Sequence, residues 1–200
     1  MGEIFPFMKV NQTLLQACID GDRKAQSDLY GLSFSTLMSV AYRYRMNRDD
    51  AVSIVNQSFL KILNGLTTLN FKNGERSYFK WIQRIMINTV LDDIRKNARY
   101  EKTIHFGKES DIGDHFWTED INDIEEKIEE EALQEMLGKL SETQRNVFNL
   151  YAIDGFSHKE IASSLNIGLS NSKWHLAQAR KKLQFLLKEI LENQKTTQNG

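Results

Sequence analysis

The stretch from Ser157 to Leu183, SHKEIASSLNIGLSNSKWHLAQARKKL, decides the fold. Ser157 is followed three residues later by Glu160. This is the capping-box pattern, in which each side chain satisfies the other residue's backbone N–H, and it opens a helix predicted to run to Leu165. Asn166-Ile167-Gly168 then reads as a tight turn, because asparagine tolerates the left-handed backbone that such a turn needs. A last helix is predicted from about Ser170 to Leu191. Two helices joined by a tight turn, with the small Ala162 where they would cross, form a helix-turn-helix. In such units the second helix enters the major groove and its first residues meet base edges. Those residues are Ser170, Asn171, Ser172, Lys173 and His175, with Gln178 a turn further on and Arg180-Lys181-Lys182 placed for phosphates. Ser172 departs from the pattern, which usually has an apolar residue there; Trp174 and Leu176 are the expected substitutes for packing. The spacing alone also allows a plain helical hairpin with a solvated basic face.

Upstream, helical periodicity dominates. Pro6 is the only proline in 200 residues, so nothing interrupts helices from residue 7 onward. Short helix 11–20 ends at Asp20-Gly21-Asp22. Longer helices are predicted over Arg23–Met46, Asp50–Leu66 after the cap Asn47-Arg48-Asp49-Asp50, and 77–99 capped by Ser77. Ser141 and Gln144 form another capping box, opening a helix through about Tyr151. An acidic amphipathic helix carrying Ile121, Ile124, Ile128, Ala132, Leu133, Met136, Leu137 and Leu140 should precede it. Periodicity is lost over residues 101–120, a linker candidate. The tail Asn193–Gly200 is polar and expected to fray.

The net charge of −1 conceals a pattern. Residues 1–100 hold 14 Lys/Arg against 9 Asp/Glu, residues 101–135 hold 3 against 13, and residues 136–200 hold 9 against 5. Two mildly basic parts flank an acidic middle, and basic parts suit a polyanion. The helix 77–99 adds Lys80, Arg84, Arg95, Lys96 and Arg99 interleaved with Tyr78, Phe79 and Trp81, a mixture that suits single-stranded nucleic acid. Aromatic residues at helical spacing are also ordinary core, and Trp81 is read as core first.

Other classes find little support. Cys18 is the only cysteine, so no intrachain disulfide or cysteine metal site is possible, and its place in an apolar helix face reads as a buried structural thiol. His105, His115, His158 and His175 are scattered, without metal spacing. No glycine-rich phosphate loop is present. No apolar run is long enough to span a membrane, and the first residues lack a signal-peptide pattern. These features predict no catalytic residue, no metal, no cofactor and a cytoplasmic location.

Several blocks resemble the extracytoplasmic-function (ECF) group of sigma-70 factors, the bacterial transcription initiation factors. Gly21-Asp22-Arg23-Lys24-Ala25 with Leu29-Tyr30 looks like the group's first block. Asp50-Ala51, Val55 and Phe59-Leu60-Lys61 look like the helix that grips the polymerase clamp. Phe79-Lys80-Trp81-Ile82, Ile85, Asn88, Asp92 and Arg95 look like the segment that melts and reads the −10 element. Leu140-Ser141-Glu142, Gln144-Arg145, Val147-Phe148 and Gly155 to Ala162 look like the −35-binding domain, which closes with Lys173, Leu176 and Ala179-Arg180-Lys181-Lys182-Leu183. The resemblance covers nearly the whole chain apart from the linker and tails. The clamp helix departs from the group's acidic pattern, with Val52, Ser53, Asn56 and Gln57 where acids and a Gln-Glu pair are usual.

The resemblance implies an all-α fold of two small domains joined by an acidic flexible linker: residues 8–100 for core polymerase and the −10 element, 101–120 as linker, and 121–192 as the helix-turn-helix domain for the −35 element. It implies −10 contacts from Lys80, Trp81, Arg84, Asn88 and Arg95. It implies −35 contacts from Ser170, Asn171, Ser172, Lys173, His175, Gln178 and Arg180. Polymerase contacts fall to Asp49, Asp50, Asn56, Gln57, Phe59 and Lys61. The implied partners are core RNA polymerase, promoter DNA and an anti-sigma factor. The acidic linker would thread toward the polymerase's basic channels as a nucleic-acid mimic, or act as a solvated tether. The alternative function is a helix-turn-helix regulator that never joins polymerase.

Overall fold

A computed structural model describes residues 9–100 and 130–198. The described residues are helical throughout, with no strand among them, as expected. The chain divides into two compact units between Ile94 and Arg95. The expected linker 101–120, the helical positions Ile121, Ile124 and Ile128, and His105 and His115 lie outside the described residues.

The first unit comprises α1 (Gln12–Ile19), α2 (Arg23–Tyr44), α3 (Arg48–Gly65) and most of α4 (Glu75–Tyr100), with a single 3-10 turn at Leu66–Thr68 after α3. Side-chain caps start three of them. Asn11, Asp22 and Asn47 each accept from backbone N–H groups of the first turn, and such a cap contributes about 1 kcal/mol. The interior holds Leu14, Leu29, Leu37, Tyr44, Val55, Ile62, Tyr78, Ile82 and Met86, all fully buried. Two polar contacts cross it. The Ser33 and Tyr78 hydroxyls lie 2.7 Å apart, and Ser58 Oγ approaches Met86 Sδ at 2.9 Å. Arg45 and Asp93, 2.6 Å apart and both largely shielded, fasten the end of α2 to α4. Cys18 is buried, and burial, with Asp22 and Asp28 nearby, pushes its thiol up to about 11, which makes it a structural group.

Helix α4 starts at Glu75, two residues before the expected cap at Ser77. Gly74 takes the left-handed conformation at φ +61°, and Ser77 Oγ donates to the Gly74 carbonyl at 2.7 Å, so the serine sits inside the first turn. Glu75 instead accepts the backbone N–H of Val10 at 2.9 Å.

The second unit contains α5 (Glu130–Gly138), α6 (Glu142–Phe148), α7 (His158–Leu165) and α8 (Leu169–Gln198). Leu137, Leu140, Val147, Phe148, Leu150, Ile161, Leu176, Ala179 and Leu183 form its core. Both expected capping boxes are present, at Ser141 with Gln144 and at Ser157 with Glu160. Helix α6 does not continue to Tyr151 as a regular helix; it widens into a π turn over Asn149–Ile153, closed by Asp154 N–H donating to the Asn149 carbonyl at 2.9 Å. Gly155, at φ +74°, then turns the chain into α7. Helix α8 continues to Gln198, past the expected end near Leu191, so residues 193–198 of the polar tail are helical; no proline or glycine stands there to stop them. The ammonium of Lys182 donates to the carbonyl of Lys139, tying α8 to the segment that leaves α5.

Candidate nucleic-acid interface

The helix-turn-helix is built by its caps and its turn. Helix α7 ends on Asn166, which adopts φ 54° and ψ 46°, the one left-handed non-glycine residue among those described. Ile167 N–H reaches back to the Ala162 carbonyl at 3.1 Å, and three residues after the cap α8 begins. Helix α8 packs through Ser172, Leu176, Ala179 and Leu183, at steps of four, three and four. Ile161 of α7 faces this stripe from a fully buried position.

Ser172 was expected among the base contacts. The structure buries it completely, with its hydroxyl 3.0 Å from Nδ1 of His158 on α7. A hydroxyl turned into the helix crossing cannot meet a base edge. The polar bond replaces the apolar contact usual at such a crossing, because a buried hydroxyl needs a partner. His158 in turn stacks on Tyr151, with ring centroids 4.5 Å apart and planes at 25°. The Arg180 guanidinium lies 5.6 Å from the centroid of the same tyrosine ring. A chain of four side chains, Ser172–His158–Tyr151–Arg180, thus joins α8, α7 and the π turn. Arg180, expected at a phosphate, is only partly exposed and its Nε is buried without a hydrogen bond.

The remaining residues of the set point outward. Ser170, Asn171 and Lys173 are exposed, and Gln178 is partly so. His175 is half-buried; burial lowers its pKa and favours the neutral ring. Trp174 had been expected to pack beneath the helix. It is 38% exposed, its ring set edge-on to His175 with centroids 4.9 Å apart. Lys181 and Lys182 are exposed as well.

On α4, Lys80, Arg84 and Asn88 are exposed and fall within about 80° of arc at 100° per residue, so they make one stripe; Arg95, also exposed, belongs to the second unit, where its Nε donates to the Ser164 carbonyl at 3.0 Å. Trp81 flanks them but is half-buried: its ring packs on Gly65, where an added Cβ would lie 3.0 Å from Cζ2. It also lies beside Tyr78, the ring planes tilted by 45° and the centroids 6.3 Å apart. The core reading of this tryptophan therefore describes most of its surface.

On α3, Asp49, Asp50, Asn56, Gln57 and Lys61 are exposed. Asn56 accepts from the Tyr30 hydroxyl at 2.8 Å, and Lys61 pairs with Asp92 at 3.0 Å in a half-exposed bridge. Phe59, expected at the polymerase surface, is buried at 8% exposure, edge-on to Tyr30 with centroids 4.9 Å apart. Its position falls on the apolar side of the helix, with Val55 and Ile62, so it belongs to the core. Leu60, part of the clamp-helix block but not among its expected contacts, is 63% exposed in the middle of the polar face. The signal was available, since Leu60 falls outside the stripe of Ile54, Val55 and Ile62.

Known proteins place this arrangement. The family description "Sigma-70, region 4" matches residues 130–183, which span α5, α6, α7 and the first half of α8. RNA polymerase sigma factor SigV of Bacillus subtilis is 30% identical over 131 residues, 60% of this chain and 68% of that protein. The chain belongs to the ECF group of the sigma-70 family. A second Bacillus subtilis relative, RNA polymerase sigma factor YlaC, is 24% identical over 80% of this chain and 91% of its own length. Among solved structures, the sigma factor RpoE of Bartonella quintana, crystallised with the anti-sigma factor NepR, is 20% identical over 81% of this chain and 96% of that one, with a TM-score of 0.43. Helices α7 and α8 of this sigma factor are thus its region 4 helix-turn-helix, and the basic stripe of α4 lies upstream of the matched segment.

Proposed function

We propose that this sigma factor joins core RNA polymerase and directs it to promoters, with residues 8–100 engaging polymerase and the −10 element and residues 121–192 reading the −35 element. The observation that carries the reading is the region 4 helix-turn-helix, whose second helix turns Ser170, Asn171, Lys173 and Gln178 away from its core stripe. Phosphate contacts fall to Lys173 and Lys181, which position the helix, while Ser170, Asn171 and Gln178 meet base edges. The stripe Lys80, Arg84 and Asn88 is assigned to the −10 strand, as is Arg95 further along the chain, with Trp81 contributing only its exposed edge. Unstacking a base there costs a few kcal/mol, which a fitted pocket and these cations must offset.

The polymerase surface is assigned to the outer face of α3: Asp49, Asp50, Asn56, Gln57 and Lys61, with Leu60 added and Phe59 removed. An exposed leucine amid polar groups suits an interface whose centre excludes water. The reading includes an anti-sigma partner as the regulator and a site of action in the cytoplasm.

Association with core polymerase tests this reading. Labelled full-length protein mixed with bacterial core enzyme should co-elute with it, and Leu60→Asp should weaken that association at least ten-fold with the helical content unchanged. Duplex DNA binding without any polymerase association would instead make the chain a free-standing helix-turn-helix regulator.

A further inference from the structure

The face of α8 opposite its core carries Trp174 near the start of the helix, in its DNA-reading part, and Phe185 three turns further on. The buried stripe Ser172, Leu176, Ala179 and Leu183 sets the inward direction. Counting 100° per residue, Trp174 lies about 170–180° from the centre of that stripe, between Ser170 and Gln178, with Lys181 below it. The crossing of α7 and α8 does not need Trp174, because the Ser172–His158 bond already closes it. His175 braces the indole from the side, edge to face, and is itself held half-buried. Lys173 and Lys181, both exposed, lie on the same helix one residue before and seven after it.

We infer that Trp174 is the central base-contacting residue of α8 and that it reads the C5-methyl edge of thymine in the major groove. This rests on the DNA-reading role proposed above for the helix. The methyl of thymine is the one apolar group that unmodified DNA presents in that groove, and it stands beside the O4 acceptor. A tryptophan matches both features, with an apolar ring and an indole N–H that can only donate. Cytosine offers neither, since it shows a donor and no methyl. The lysines supply the charge that fits a phosphate-lined groove and argue for duplex DNA as the occupant of this face.

Replacing thymine by uracil removes the methyl and nothing else. The test uses the full chain with core polymerase on a duplex promoter chosen from a random pool, with each thymine of the upstream element changed to uracil in turn. At one or two positions uracil should weaken wild-type binding about four-fold, the effect of one buried methyl. Trp174→Ala should bind the parent promoter several-fold more weakly and be indifferent to uracil at those same positions. If Trp174→Ala kept the wild-type response to uracil, or bound as tightly as wild type, the assignment would be overturned while the DNA-reading role stood. If polymerase bound but changes throughout the upstream element had no effect, the DNA-reading role would fall and the assignment with it.

Discussion

Both units bury a serine against a ring, and the two burials differ in kind. In the first unit Ser33 and Tyr78 meet inside the core, both fully buried, and burial pushes the tyrosine's pKa far up. In the second unit Ser172 is fully buried, but its partner His158 is half-exposed and stands at the joint of the two helices that present the reading surface. The first pair is part of a domain interior. The second lies near the surface where α7 crosses α8, and under the proposed reading it aims Ser170, Asn171, Trp174 and Gln178. Polar bonds of similar length thus lie in a domain interior in one place and at a helix crossing in the other.

The largest way to break the comparison is to empty each core. Leu29→Ala and Ile161→Ala, at fully buried positions, should each cost roughly 3–4 kcal/mol, read by chemical denaturation. Truncation of Leu29 should act on the first unit and of Ile161 on the second, as segment-resolved hydrogen exchange would report. Next come the pairs themselves. Tyr78→Phe removes the hydroxyl that meets Ser33, which keeps its own bond to the Leu29 carbonyl, and should cost about 1 kcal/mol of stability. His158→Phe and Ser172→Val should each weaken promoter binding, whereas the double variant, which restores an apolar crossing, should recover most of it. Additive losses in that cycle would show that the pair does not aim the helix.

Cys18 sharpens the view of the first unit. With its thiol pushed up to about 11 by burial, it should react with a disulfide reagent at neutral pH only as fast as the unit opens. The smallest effect concerns His175. Burial lowers its folded-state pKa, so the unfolded chain binds the extra proton first as pH falls. Its contribution to stability is therefore complete above the unfolded value of about 6.5 and declines as pH drops below it. His175→Gln should flatten that part of the pH–stability curve.

Much of this was readable before the structure. The caps at Ser141, Ser157 and Asn47, and the left-handed Asn166, depend on residues within three positions of one another, and local chemistry settled them. The side of each helix that faces the core followed from apolar spacing. What escaped the sequence depends on distance or on exceptions. The partner of Ser172 sits 14 residues away on another helix. Arg180 reaches Tyr151 only because a π turn, which has no sequence signal here, sets that ring against His158. Trp174 and Phe59 were placed by residue type, apolar to the core and motif to the surface, where their angular positions on the helices say the opposite.

The most direct measurement of the central claim is run-off transcription with bacterial core polymerase, the full chain and a library of random promoters. The account predicts starts that depend on the protein and share two elements, the upstream one lost when Lys173 and Lys181 are both changed to alanine. Transcripts that are absent, or that start at the same places without the protein, would contradict it.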